Sequence, residues 1–460
     1  MNISPDIFRA YDIRGIVTDA LTPAVVEQIG HAFGTECHER GVASVAVARD
    51  GRLSGPDLIE ALSNGIAKAG VDVIDIGMVP TPVLYFATRH LDTSTGIMVT
   101  GSHNPPEYNG LKMVLEGDAL FGDGITALHT RLVEGRLHAA DVPGGQSRED
   151  ILDDYINRIL GDVKLRRTMR IAYDCGNGVA GAAAPQLFEG LDTEAVGLYT
   201  TVDGTFPNHH PDPAKLENLQ DLIRKVKEDK LEIGLAFDGD GDRVGVVDDK
   251  GNVIWPDRQM VLFARDVLER NPGARIIYDV KCSKVLPEAI SEAGGEPEMW
   301  KTGHSFIKAR IKETGALLGG EMSGHLFFKE RWYGFDDALY AAARLLEILS
   351  ATDRPASEIF AAIPDTVNTP EISIKLDRDG AQHEFVEKFT KNADFDGARL
   401  TTIDGVRADY DDGFGLVRAS NTSPSLVIRF EADDQAALER IQNAFRKVIT
   451  ATDDSISLPF

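Results

Sequence analysis

The chain has 460 residues, 43% of them hydrophobic, enough to bury several cores and form about three or four domains. Its 48 Lys and Arg against 73 Asp and Glu give a formal charge of −25, which excludes nucleic acid and anionic membrane as general partners, because both need a basic face. Cys37, Cys175 and Cys282 are too scattered, and odd in number, for a disulfide framework or a zinc motif, so they are expected as buried thiols in a reducing compartment.

The N-terminus lacks a basic segment followed by an apolar one, and no apolar run is long enough to span a bilayer; the expectation is a soluble, cytoplasmic protein. Residues 45–50 form the first of three short β-rich runs that end in aspartate and lead through small or polar residues into a helical pattern. The others are 170–174 and 275–279. Each unit later delivers a second strand into a polar, glycine-rich loop. These loops are Thr100-Gly101-Ser102-His103-Asn104-Pro105, Asp238-Gly239-Asp240-Gly241-Asp242-Arg243, and Gly320-Glu321-Met322-Ser323-Gly324-His325.

Strands alternating with helices predict mixed or parallel sheets, whose strand ends collect ligands. From about Pro364 the pattern changes to β-like runs at 371–376 and 425–430 and a closing amphipathic helix with Ala437, Leu438, Ile441, Phe445 and Val448 at helical spacing. The predicted fold is α/β: three similar mixed α/β domains (1–148, 149–252 and 253–366) and a smaller C-terminal α+β domain (367–460) around one central cleft.

The most informative segment is the aspartate loop. Residues 231–237 look like a buried strand, so Asp238, Asp240 and Asp242 fall where it ends and turns, separated only by glycine. Three carboxylates with coordination positions left over suit a hard cation such as Mg²⁺, which usually completes its shell with water and phosphate oxygens, and Arg243 would face the same phosphate. A Ca²⁺ loop of the EF-hand type fails on inspection. With Asp238 at position one, the glycine needed at six is Arg243, the glutamate at twelve is Asp249, and a β-like run follows instead of a helix.

Ser102 follows the apolar run 96–99 into its loop and can be a nucleophile, although spacing alone favours a turn or helix cap. Arg418-Ala419-Ser420-Asn421-Thr422-Ser423-Pro424 can wrap a phosphate dianion or be an everyday polar turn. Residues 176–181 match the dinucleotide fingerprint, which makes an NAD-dependent dehydrogenase the runner-up. Its supporting acid is misplaced, however: Glu194 precedes the next strand instead of ending it. No Walker A sequence and no Gly-x-Ser-x-Gly elbow is present.

Taken in order, Phe8-Arg9-Ala10-Tyr11-Asp12-Ile13-Arg14-Gly15, the Ser102 hexapeptide, the 238–243 loop, the Glu321 loop and the Arg418 loop resemble the α-D-phosphohexomutases across essentially the whole chain, and most closely their bacterial phosphomannomutase/phosphoglucomutase branch. Met322 and the 333–337 segment depart from the phosphoglucosamine mutase pattern. The resemblance implies reversible conversion of hexose 1-phosphate, of mannose or glucose, to hexose 6-phosphate through a phosphoserine at Ser102 and a hexose 1,6-bisphosphate, with Mg²⁺ on Asp238, Asp240, Asp242 and the Ser102 group. It further implies Arg243, Lys112, His304 and Arg14 as catalytic groups. Substrate contacts fall to Arg418, Ser420, Asn421 and Thr422 for the second phosphate, Tyr11 and Lys281 as lesser ones, and Glu321, Ser323, His304 and His325 for the sugar. A monomer is expected. A phosphoglucosamine mutase and a noncatalytic sugar-phosphate sensor, both of the same fold, are the remaining alternatives.

Overall fold

A computed structural model describes residues 3–378, 380–421 and 423–460. It falls into two compact units. The first is the chain up to Pro256 with Lys308–Gly319 and Ser323–Ile359; the second is Asp257–Ile307, Gly320–Met322 and Phe360–Phe460.

The first unit carries two mixed sheets. In one, Ser44–Arg49 lies between the parallel strands Asp72–Met78 and Gly96–Val99, and Gly96–Val99 pairs antiparallel with Tyr108–Leu115. The inner residues of Ser44–Arg49 are buried on both faces, as expected for a run of Val and Ala covered by helices. Helices Pro23–Arg40 and Gly55–Lys68 pack one face, sharing a core of Val26, Ile29, Phe33, Leu58, Leu62 and Ile66. In the other sheet, Ile233–Phe237 runs parallel to Met169–Asp174 and antiparallel to Val244–Asp248. The antiparallel return after Phe237 makes residues 238–243 a tight strand-end turn.

The second unit contains the parallel pair Arg275–Asp279 and Glu296–Trp300 with helix Val285–Glu292 and the first turn, His304–Ile307, of helix His304–Thr314. Its C-terminal sheet is antiparallel, with Gly413–Ala419 between Val406–Tyr410 and Ser425–Ala432. The closing helix Gln435–Thr452 starts at Asp434, whose carboxylate accepts from Ala437 N at 2.8 Å, and it buries Leu438, Ile441 and Phe445 against this sheet. The predicted strands and closing helix are thus present, with bounds moved by a few residues.

No described helix is long and apolar enough to cross a membrane. All three cysteines are free and buried.

Candidate active site

The aspartate loop is ordered by its own backbone. Asp238 Oδ1 accepts from the N–H groups of Gly241, Asp242 and Arg243, each at 3.1 Å, and Gly241 takes the positive φ of 76° that the turn requires. Asp238, Asp240 and Asp242 are fully buried, and they offer ligand atoms within 4.8 Å of one another. Lys112 Nζ, reaching over from Tyr108–Leu115, donates to Asp240 Oδ2 at 2.7 Å and Asp242 Oδ2 at 2.5 Å; Arg243 Nε donates to Asp238 Oδ2 at 2.9 Å.

Burial and the neighbouring Asp242 carboxylate push Asp238 up to about 7 despite Arg243. Burial also raises Asp240, but the Lys112 ammonium and the Thr81 hydroxyl, 2.6 Å away, more than offset it and hold this carboxyl below its usual range. Lys112 loses from burial and gains more from the two aspartates, so it stays an ammonium.

Two buried oxygens, Asp240 Oδ1 and Asp242 Oδ1, have no hydrogen-bond partner among the described residues. Burying a carboxylate oxygen without a donor is costly unless a cation shares it, so the donor set fits a hard divalent ion. Arg243 Nη2 is likewise buried with no hydrogen-bond partner among the described residues, leaving a guanidinium donor for an anion.

Ser102 is brought to this cluster by a close approach of the two loops. A Cβ on Gly239 would sit 2.3 Å from the Ser102 carbonyl oxygen, so only glycine fits there. Ser102 Oγ lies 3.3 Å from Asp238 Oδ2 and 3.2 Å from His103 Nδ1. Burial and the cations Arg243, Arg14 and Lys112 keep the His103 imidazole neutral. Arg14 donates to Asn104 Oδ1 at 2.9 Å and Asp12 Oδ2 at 2.5 Å, against the same serine loop. Tyr11 is half-buried in the turn before Ile13–Ile16. His325 Nδ1 sits 3.6 Å from Asp242 Oδ1 and 3.0 Å from Asp336 Oδ2, and Asp336 Oδ1 accepts from Lys308 at 2.9 Å. Ser323 Oγ is buried with no hydrogen-bond partner among the described residues.

In the second unit, His304 begins helix His304–Thr314 and Glu321 is buried, accepting the Gly303 N–H. Asp404 Oδ2 accepts from Thr302 N at 3.0 Å and Arg418 Nε at 2.9 Å, so the Arg418 loop is tied to the turn that holds His304. Ser420 Oγ accepts from Ser423 Oγ at 3.0 Å, and Asn421 follows, half-buried. Lys281 donates to Glu371 at 3.0 Å. Thr422 lies outside the described residues.

Sequence reasoning missed Thr81 and Asp404, which are distant in sequence and carry no motif, and it read Asp336 only as part of the 333–337 segment. The repeat did contain a further signal. Each strand-end aspartate anchors the loops beside it: Asp50 accepts from Thr100 and Gly101, Asp174 from Gly176 and His209, and Asp279 from Thr302 and Met322. The 176–181 segment shaped like a dinucleotide fingerprint instead buttresses the metal loop, Val179 N donating to Gly239 O at 3.1 Å.

Strand-end loops that join a serine hydroxyl to a buried carboxylate cluster, on successive mixed sheets, define a multidomain α/β enzyme. Family models for the four phosphoglucomutase/phosphomannomutase domains match in order: alpha/beta/alpha domain I at residues 5–133, II at 153–251, III at 255–367, and the C-terminal domain at 371–448. The chain belongs to the phosphoglucomutase/phosphomannomutase family. It is 54% identical to the phosphomannomutase/phosphoglucomutase of Pseudomonas aeruginosa over 454 residues, 99% of this chain and 97% of the relative. It is equally 54% identical to the phosphoglucomutase of Neisseria meningitidis serogroup A over 456 residues, 99% of each. A crystal structure of a phosphoglucomutase/phosphomannomutase family protein from Burkholderia thailandensis superposes with a TM-score of 0.94 at 52% identity, covering 100% of both chains.

Proposed function

We propose that this chain is a phosphohexomutase that interconverts hexose 1-phosphate and hexose 6-phosphate, acting on glucose and mannose phosphates, with Ser102 as the phosphoryl carrier and a hexose 1,6-bisphosphate as intermediate. The observation that carries this reading is the Ser102 hydroxyl 3.3 Å from Asp238, in a buried cluster whose Asp240 Oδ1 and Asp242 Oδ1 have no hydrogen-bond partner among the described residues. Held by Asp238, Asp240 and Asp242, a divalent cation, Mg²⁺ in this reading, supplies positive charge where phosphoryl transfer spreads negative charge over oxygen.

The chain's own residues do the rest. Phosphoserine at Ser102 gives its phosphoryl group to a sugar hydroxyl, and the transfer leaves Ser102 Oγ to be stabilised as it departs. Arg243 contributes its open Nη2 to the phosphoryl oxygens. Lys112 stays protonated and balances charge as it moves between carboxylate and phosphate; in this state it is a cation and a proton donor, not a base. Arg14 keeps Asn104, and with it the serine loop, in place. His304 takes the hydroxyl's proton, and His325 assists in holding the sugar. Glu321 and Ser323 hydrogen-bond sugar hydroxyls, and Ser323 Oγ has that capacity open.

Arg418, Ser420, Asn421 and Thr422 hold the second phosphate, with Tyr11 and Lys281 assisting. If Glu321 and Ser323 read the 3- and 4-hydroxyls, which glucose and mannose present alike, C2 is weakly discriminated and dual specificity follows. We also assign a cytoplasmic monomer, for which size-exclusion chromatography should return a mass near 50.0 kDa.

The test is a coupled mutase assay on glucose 1-phosphate and mannose 1-phosphate, with and without a trace of glucose 1,6-bisphosphate, before and after chelation. Turnover of both sugars, stimulated by bisphosphate, lost on chelation and restored by Mg²⁺, is expected. Binding of either sugar phosphate without conversion would favour the sensor reading instead.

A further inference from the structure

Ser102 adopts φ 49°, in the left-handed region that a residue with a side chain occupies only when its surroundings enforce it. The surroundings here converge on one side chain. Arg52, only 1% exposed, donates from Nη2 to the carbonyl oxygens of Ser102 at 2.8 Å and Asn104 at 2.6 Å, and from Nη1 to those of Pro105 at 2.7 Å and Tyr108 at 3.0 Å. Its Nε reaches Asp50 Oδ2 at 3.2 Å, and the same carboxylate accepts from Thr100 Oγ1 at 2.8 Å and Gly101 N at 3.2 Å. Thr100 Oγ1 in turn accepts the Ser102 N–H at 2.8 Å. The guanidinium packs against Gly101, where an added Cβ would stand 2.5 Å from both Arg52 Cζ and Nε.

We propose that Arg52, backed by Asp50, is the positioning residue that sets the serine loop in its reactive conformation. Four carbonyls spanning residues 102–108 share one planar, always-charged donor, so the loop cannot turn its serine away from the aspartate cluster without leaving buried donors and acceptors unmade. A lysine keeps the charge opposite Asp50, but its single nitrogen cannot serve four carbonyls in a fork. The inference rests on Ser102 being the phosphoryl carrier, and it adds that the serine's placement, and hence the transfer rate, is governed from Arg52.

The experiment uses full-length Arg52→Lys and Arg52→Gln, phosphorylated with glucose 1,6-bisphosphate, with Ser102→Ala in parallel. Measured are kcat and KM for glucose 1-phosphate, the ³¹P resonance of the phosphoserine and the thermal melt. A displaced serine predicts that kcat falls about a hundredfold while KM stays within about threefold, and that the ³¹P line shifts in protein that is folded at the assay temperature. Arg52→Lys with unchanged kcat and an unmoved ³¹P line would overturn the inference. So would a loss of activity that merely tracks the unfolded fraction, or both Arg52 variants being unfolded under assay conditions. Turnover by Ser102→Ala would instead remove the reading on which it rests, so the two failures are distinguishable.

Discussion

Lys112→Met tests the electrostatics of the carboxylate cluster directly. The substitution keeps the buried aliphatic stem and removes an ammonium that is 2.7 Å from Asp240 and 2.5 Å from Asp242, in a side chain 4% exposed. With all three carboxylates ionised, Arg243 would then be left as the one cation among the described residues in hydrogen-bond contact with them, and the buried excess would rise from one negative charge to two. Taking one partner from a buried pair costs about 3–5 kcal/mol, because the other charge stays uncompensated.

Occupancy by a divalent ion reverses this. Metal at about a hundred times its Kd stabilises the folded state by about 2.7 kcal/mol, and the variant should bind it more tightly because no ammonium competes for the oxygens. Urea unfolding followed by circular dichroism should therefore show Lys112→Met well below wild type in chelator, with the gap narrowed by Mg²⁺. Equal stability in chelator, or equal Mg²⁺ stabilisation of both proteins, would refute the reasoning.

Three other outcomes are expected. Arg418→Ala should raise KM for glucose 1-phosphate about ten- to a hundredfold, the worth of a charge-assisted hydrogen bond to phosphate, with a smaller change in kcat by steady-state kinetics. Arg429→Met should strand the buried Asp257, which Arg429 contacts at 3.2 and 3.3 Å, and lower the second unit's unfolding free energy by about 3–5 kcal/mol in denaturant titration. Burial pushes Asp337 up to about 7 even though Tyr340 N, Tyr155 and Trp332 donate to it. The folded state thus holds a proton that the unfolded state has lost. Asp337 contributes stability below the unfolded carboxyl's pKa, and that contribution is lost as pH rises toward about 7. Asp337→Asn should flatten this part of the stability profile between about pH 4 and 7.

Much of the site was legible because its chemistry is written in contiguous loops. Glycine between aspartates dictates a tight turn, and an apolar run such as Gly96–Val99 or Ile233–Phe237 before its loop dictates the buried strand that carries it. What was not legible is the set of residues that act across long sequence separations. Lys112 could be seen to lie near the serine loop, but its pairing with Asp240 and Asp242 depends on two separate sheets being brought together. Thr81 is an ordinary helix start until its hydroxyl is found on Asp240. Asp404 lies in a turn with no motif, and its link from Thr302 to Arg418 follows only from tertiary packing. Asp50 was visible as the end of a repeat but Arg52 was not, because its partners are mostly backbone carbonyl groups, which no side-chain pattern announces.

The central claim is that Ser102 carries the phosphoryl group beside the aspartate cluster. Incubating the protein with glucose 1,6-bisphosphate labelled with ³²P, then digesting and mapping the label by mass spectrometry, tests it most directly. The account predicts acid-stable phosphate on Ser102, discharged by glucose 1-phosphate or mannose 1-phosphate and absent from Ser102→Ala, which should be inactive. Label on another residue, or a Ser102→Ala protein that turns over at a near-normal rate, would contradict it.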